Sequence, residues 1–98
     1  MDQKGRLIQD ICSALIDNTP EHWFSAHLYL RKTQSGLEHR IESAEGYDDL
    51  VTPDAELFSS TREFELFLNS ASEMFKTAKF SIWLDDSDNW NFKSEFEY

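Results

Sequence analysis

At 98 residues the chain can build one domain around one core, and its eight Phe, three Trp and three Tyr supply the bulk for it, since each aromatic can bury roughly 150–250 Å². Nineteen Asp and Glu against nine Lys and Arg give a net charge of -10, which opposes direct binding to nucleic-acid phosphate or an anionic membrane and favours a basic partner. A hydrophobic share of 40% is too high for a disordered acidic tail, so the chain is expected to fold despite a mean hydropathy of -0.58.

The first element is a helix. Leu7, Ile8, Ile11, Cys12, Leu15 and Ile16 recur three or four apart, with Gln9, Asp10, Ser13 and Asp17 on the other face. It is expected to end near Asn18, because Pro20 biases Thr19 out of helical geometry. Cys12 is the single cysteine, which excludes an internal disulfide, and its place on the apolar stripe points to a buried hydrophobe rather than a nucleophile. The segment MDQKGRLIQD lacks a signal-peptide core, and no stretch approaches the roughly 20 apolar residues that span a bilayer, so the cytoplasm is the expected location.

From Phe24 the pattern turns to period two. Ala26, Leu28 and Leu30 alternate with His27, Tyr29 and Arg31, and after the turn Thr33-Gln34-Ser35-Gly36, Leu37, His39 and Ile41 alternate with Glu38, Arg40 and Glu42. This predicts an antiparallel hairpin with Arg40 and Glu38 on its outer face opposite Arg31 and Tyr29. Residues 43–58 read as a structured acidic loop punctuated by Gly46 and Pro53 and anchored by Tyr47, Leu50, Val51 and Leu57.

Ser60-Thr61-Arg62-Glu63 fits a capping box, and Phe64, Phe67, Leu68, Ala71, Met74, Phe75 and Ala78 continue at helical spacing, which predicts a second helix to about Thr77 with Lys76 and Lys79 at its C-terminal end. A second hairpin closes the chain. Phe80, Ile82 and Leu84 alternate with Lys79, Ser81 and Trp83, then comes the turn Asp85-Asp86-Ser87-Asp88-Asn89, then a strand from Trp90 to Tyr98. The order α-β-β-α-β-β predicts an α+β domain over residues 1–98, an antiparallel sheet of two hairpins with the helices on one face.

Little in this chain reads as catalytic chemistry. His27 and His39 could approach across the first hairpin, but no third ligand joins them at zinc spacing, and His22 reads as a solvated loop residue. Asp86-Ser87-Asp88-Asn89 lacks the glycine and distal glutamate of a calcium loop. The carboxylates lie in polar positions, unsuited to the desolvation a general acid needs. No phosphate loop, nucleophile elbow or basic-aromatic patch is present, so neither an enzyme nor a cofactor is expected. What remains is aromatics among acids. Tyr47 with Glu45, Asp48 and Asp49, and Trp83 with Asp85, Asp86 and Asp88, form the expected partner-binding surface, suited to an Arg- or Lys-rich protein. Two plainer roles compete: Tyr47 pinning the loop to the core and Trp83 covering the sheet's second face, with the acidity a solubilising coat.

The ordered set LIQDICSALIDNTPEHW, AHLYLR, VTPDAELF, EMFKTAKF and WNFKSEFEY resembles the YezG-like antitoxin and immunity family of bacteria across nearly the whole chain. It departs from that pattern in a shorter, less regular middle and in ending after the Phe-x-Tyr motif, departures that point to a neighbouring group such as the immunity proteins of contact-dependent growth-inhibition systems. The resemblance implies neutralisation of a cognate toxin domain, often a nuclease, inside the producing cell. It brings no catalytic residues with it. The alternative is a non-enzymatic adaptor or chaperone-like module that binds a basic protein.

Overall fold

The computed structural model describes residues 2–98. Helix α1 (Gln3–Asn18) starts earlier than its apolar stripe because Asp2 caps it, its side chain accepting a hydrogen bond from the Gly5 amide at 2.6 Å. It stops at Thr19, whose hydroxyl donates to the Leu15 carbonyl, one of the orphan acceptors of the last turn. Strands β1 (Ser25–Thr33) and β2 (Gly36–Glu42) form the first hairpin, with Gln34 and Ser35 at its tip. Gly36 takes φ +140°, a conformation that side-chain-bearing residues rarely adopt. All four residues share the expected outer face, and the register pairs Tyr29 with Arg40 and Arg31 with Glu38.

Helix α2 (Ala55–Ala71) departs from the sequence reading at both ends. Its cap is Asp54, which accepts from the Leu57 amide at 2.9 Å, so Ser60 lies inside the helix and the loop ends at Asp54. It stops at Ser72, which enters the left-handed region at φ 57°, while the Glu73 amide closes back onto the Leu68 carbonyl at 2.9 Å. Met74 and Phe75 therefore lie in the following link, Lys76 is beyond the helix, and Ala78 and Lys79 belong to β3.

Strands β3 (Thr77–Leu84) and β4 (Trp90–Glu97) form the second hairpin. β3 pairs antiparallel with β1, giving the order β2-β1-β3-β4, and α2 carries the chain from β2 over β1 to β3. One face of this sheet meets both helices. Ala26, Leu28, Leu30, Ile41, Ala78, Phe80 and Ile82 project into a core completed by Leu7, Ile11 and Leu15 from α1 and Leu57, Phe64 and Leu68 from α2. Phe64 is fully buried, with the rings of Phe75, Phe80 and Phe96 centred 6.0–6.3 Å away. Cys12 lies in this core, where desolvation pushes its thiol up to about 12. The two histidines of the first hairpin end up on opposite faces of the sheet. His39 turns inward to the Thr61 hydroxyl of α2 at 2.8 Å, and His27 turns outward to Ser81 at 2.9 Å. Among the described residues, no helix is long and apolar enough to cross a membrane.

A buried ion cluster holds α2 to the first hairpin. Glu65 is 4% exposed and accepts from Lys32 Nζ and Arg62 Nη1, both at 2.8 Å. The Lys32 hydrogen bond, aided by Arg62, holds its carboxyl below the ordinary glutamate range against the cost of desolvation.

Candidate partner-binding site

The strand register sends three irregular segments out of the same end of the molecule. β1 begins there and β3 ends there, since Ser25 pairs with Trp83, and β2 ends and β4 begins alongside them. The link 20–24, the loop 43–54 and the turn 85–89 therefore share one pole. Phe24 joins them. Its carbonyl accepts the Leu84 amide at 2.8 Å, and its own amide donates to Glu45 Oε1 at 2.7 Å. The two acidic clusters read separately from the sequence thus lie at one end of the molecule.

The pole holds most of the molecule's charge. Residues 20–25, 43–54 and 85–89 contain Glu21, Glu45, Asp48, Asp49, Asp54, Asp85, Asp86 and Asp88 and no Lys or Arg. Eight of the nineteen carboxylates lie here, and the rest of the chain, with eleven acids and nine bases, carries only -2 of the total -10. A solubilising coat would be spread over the surface; this charge is segregated.

Within the pole the acids divide into two sets. Glu45 is a loop clasp, accepting from the Phe24 amide and from the Ser25 and Ser43 hydroxyls at 2.7–3.0 Å. Desolvation pushes its carboxyl up, but these hydrogen bonds outweigh it and hold the group below the usual range. Asp49 receives the indole N–H of buried Trp23 at 3.0 Å and lies 2.7 Å from His22 Nε2, and these two partners lower its pKa. Asp85 organises its turn, binding the Asn91 side chain and the Asn89 and Ser87 amides, with the same depressing effect on its carboxyl. Asp88 sits at φ 61° in that turn, a conformation aspartate tolerates. By contrast, the carboxylates of Asp48, Asp86 and Asp88 accept no hydrogen bond from the described residues and stand exposed.

Apolar side chains are set among these charges. Phe24 is 58% exposed and Leu50 95% exposed, and Tyr47 and Trp83 are both substantially open. Leu50 was expected to anchor the loop and instead projects from it. Tyr47 performs the anchoring, stacked at 6.5 Å on Trp23 and edge-on to His22 at 4.9 Å, while one side of its ring stays open. Trp83 stands at the end of the sheet face that no helix covers. His22, read as solvated, is part of the Asp49 clasp. Neither Phe24 nor Leu50 figured in the partner-binding set read from the sequence. Their identities carry no signal, because an apolar residue between a helix and a strand reads as core.

This arrangement can dock a cationic surface: unpartnered carboxylates supply charge, and open apolar groups supply contact area that water leaves on binding. Among the described residues, no group of three or more His, Cys, Asp or Glu is placed to hold a metal ion. The fold defines the chain as a small α+β domain with two helices on one face of a four-stranded antiparallel sheet. Comparison with known proteins finds no matching family model and no curated relative.

Proposed function

We propose that this chain is an immunity protein that neutralises a cognate bacterial toxin domain, in the first instance a cationic nuclease, by seating its acidic pole on that domain in the cytoplasm of the producing cell. The observation that carries this reading is the segregation of eight carboxylates, without one Lys or Arg, around exposed Phe24, Tyr47, Leu50 and Trp83. A nuclease must hold polyanionic substrate in a basic groove. A pole of opposite sign is drawn to such a groove and covers it, with charge setting encounter rate and selectivity. Charge alone does not make the complex tight. One ion pair at 4 Å is worth about 4 kcal/mol at most near a protein surface before desolvation is subtracted. The central apolar contacts carry the remainder, and aromatics are the usual anchors of such interfaces. The resemblance to YezG-like immunity proteins points the same way.

Co-expression tests this. The protein encoded in the adjacent reading frame is produced alone and together with this chain. The expected result is growth arrest in the first case, rescue in the second, and a one-to-one complex on purification. A folded chain that neither rescues growth nor binds the neighbouring protein removes the proposal.

A further inference from the structure

The sheet face opposite the helices is uncovered, and its residues form ordered rows across the strands. One row runs Arg40, Tyr29, Lys79, Glu95; the next, toward the acidic pole, runs Glu42, His27, Ser81, Lys93. Beyond them lie Glu38, Arg31, Thr77 and Glu97 on one side, and Ser25, Trp83 and Asn91 on the other. This face holds four of the nine bases, Arg31, Arg40, Lys79 and Lys93, against the four acids Glu38, Glu42, Glu95 and Glu97. It is electrically neutral on a chain of charge -10. Its middle is semi-apolar, with Arg40 over the Tyr29 ring at 4.6 Å, Lys79 over the same ring at 5.8 Å, and a shallow hollow of about 770 Å³ above them.

We propose that this face pairs two copies of the chain, sheet against sheet, about a two-fold axis that crosses the strands between the two central rows. The surface is self-complementary under that operation. Each row comes to lie over the other, so Arg40 faces the second copy's Glu42 and Glu95 its Lys93, alongside the Arg40–Glu42 and Lys93–Glu95 pairs already closed within each chain at 3.1 and 3.4 Å. Tyr29 faces its His27, and Lys79 lies over its Ser81, which is buried and hydrogen-bonded to His27. A C2 contact makes every such pair twice. Facing sheets pack at about 30°, and the long Arg, Glu and Lys side chains at the edges span the resulting offset. A two-fold running along the strands is the competing choice. It would set Glu38 against Glu97 and bring the two acidic poles side by side. The crossing axis sends the poles to opposite ends of the dimer and leaves both free.

The area sets the strength. Four strands about 4.8 Å apart and about seven residues long at about 3.3 Å each give roughly 450 Å² per copy. That falls short of the roughly 800 Å² per partner in stable complexes, so the dimer is weak, in the micromolar range or above.

Sedimentation equilibrium on the whole chain tests this at about 150 mM salt, which screens the mutual repulsion of two chains of charge -10, from about 1 μM to about 1 mM. The apparent mass is expected to rise from 11.5 kDa toward twice that value. Arg40→Glu and Glu42→Arg each set like charges against each other twice, so either variant alone is expected to dimerise at least tenfold more weakly. Mixed one to one, they restore opposite-sign pairs between unlike copies, and dimer returns as a heterodimer. Amide chemical shifts of the unaltered chain should move with concentration at Tyr29, Lys79 and Ser81, which provides a readout that needs no variant to fold. Overturning results are a wild-type mass that stays at 11.5 kDa throughout, a mixture of the two folded variants that stays monomeric, or concentration-dependent shifts confined to the helices.

Discussion

Removing Lys32 isolates the buried carboxylate of Glu65. That side chain is 5% exposed and its two cations each donate at 2.8 Å, but the two differ in exposure, Lys32 being 32% open and Arg62 63%. Lys32 is therefore the better-shielded partner, and its hydrogen bond is the largest influence holding Glu65 ionised. Breaking a buried pair by deleting one partner costs about 3–5 kcal/mol. Arg62 remains in place and Lys32 is partly solvated, so Lys32→Met is expected to cost about 2–3 kcal/mol. Removing both charges together, as Lys32→Met with Glu65→Met, leaves no buried ion without a partner, since Arg62, which also loses Glu65, is 63% exposed and solvated, and replacing such a pair by apolar groups is often nearly neutral. The double variant is thus expected within about 1 kcal/mol of wild type, more stable than the single one. Urea denaturation reads this directly: with a slope of about 1 kcal/mol per molar, the single variant's midpoint falls by about 2 M or more. The reasoning is refuted if Lys32→Met moves the midpoint by less than about 0.5 M, or if the double variant is the less stable of the two.

Three further outcomes follow from the same contacts. Cys12 is expected to resist thiol reagents in the folded protein, because its thiol is buried and its pKa is pushed up to about 12; labelling at the unfolding rate agrees, and immediate labelling does not. Stability should fall with acidification in two stages. Burial lowers the pKa of His27 and His39 from 6.5, so their contribution is complete above that value and is lost as pH falls through their folded pKa values. Glu65, whose pKa is depressed from 4.5, contributes above that value and is lost below it. Melting temperature against pH should show both stages, and His27→Asn with His39→Asn should flatten the first alone. The third outcome separates the two sets of acids at the pole. Asp49→Asn and Glu45→Gln should loosen the 43–54 loop, seen as faster amide exchange there, whereas Asp48→Asn should leave exchange unchanged.

The alternation in both hairpins was legible because each strand has one buried face, and a one-residue slip would expose Leu28, Leu30, Phe80 and Ile82 together. Helix α2 was harder to place. Ser60 opens a capping box on paper, yet the cap is Asp54, six residues earlier, because the inward set Leu57, Thr61, Phe64, Glu65 and Leu68 begins before Ser60. Its end was masked because Phe75 and Ala78 are buried, and Met74 partly so, from a link and a strand at spacings that mimic helix, and Ser72 gives no sign that it will turn left-handed. The acidic residues were legible singly. Their convergence on one pole depends on β3 pairing with β1, a long-range contact that local periodicity does not encode. The division into clasping and unpartnered carboxylates depends on loop geometry, which composition does not set.

The central claim is that the segregated charge at the pole is a docking surface. It is tested most directly by the association rate of this chain with its proposed partner, the product of the adjacent reading frame, measured at about 20 mM and about 300 mM salt. Wild type should associate at least about tenfold faster at the lower salt, and Asp48→Asn with Asp86→Asn and Asp88→Asn should lose most of that acceleration while keeping the fold. A triple variant that associates as fast as wild type, with the same salt dependence, would contradict the account.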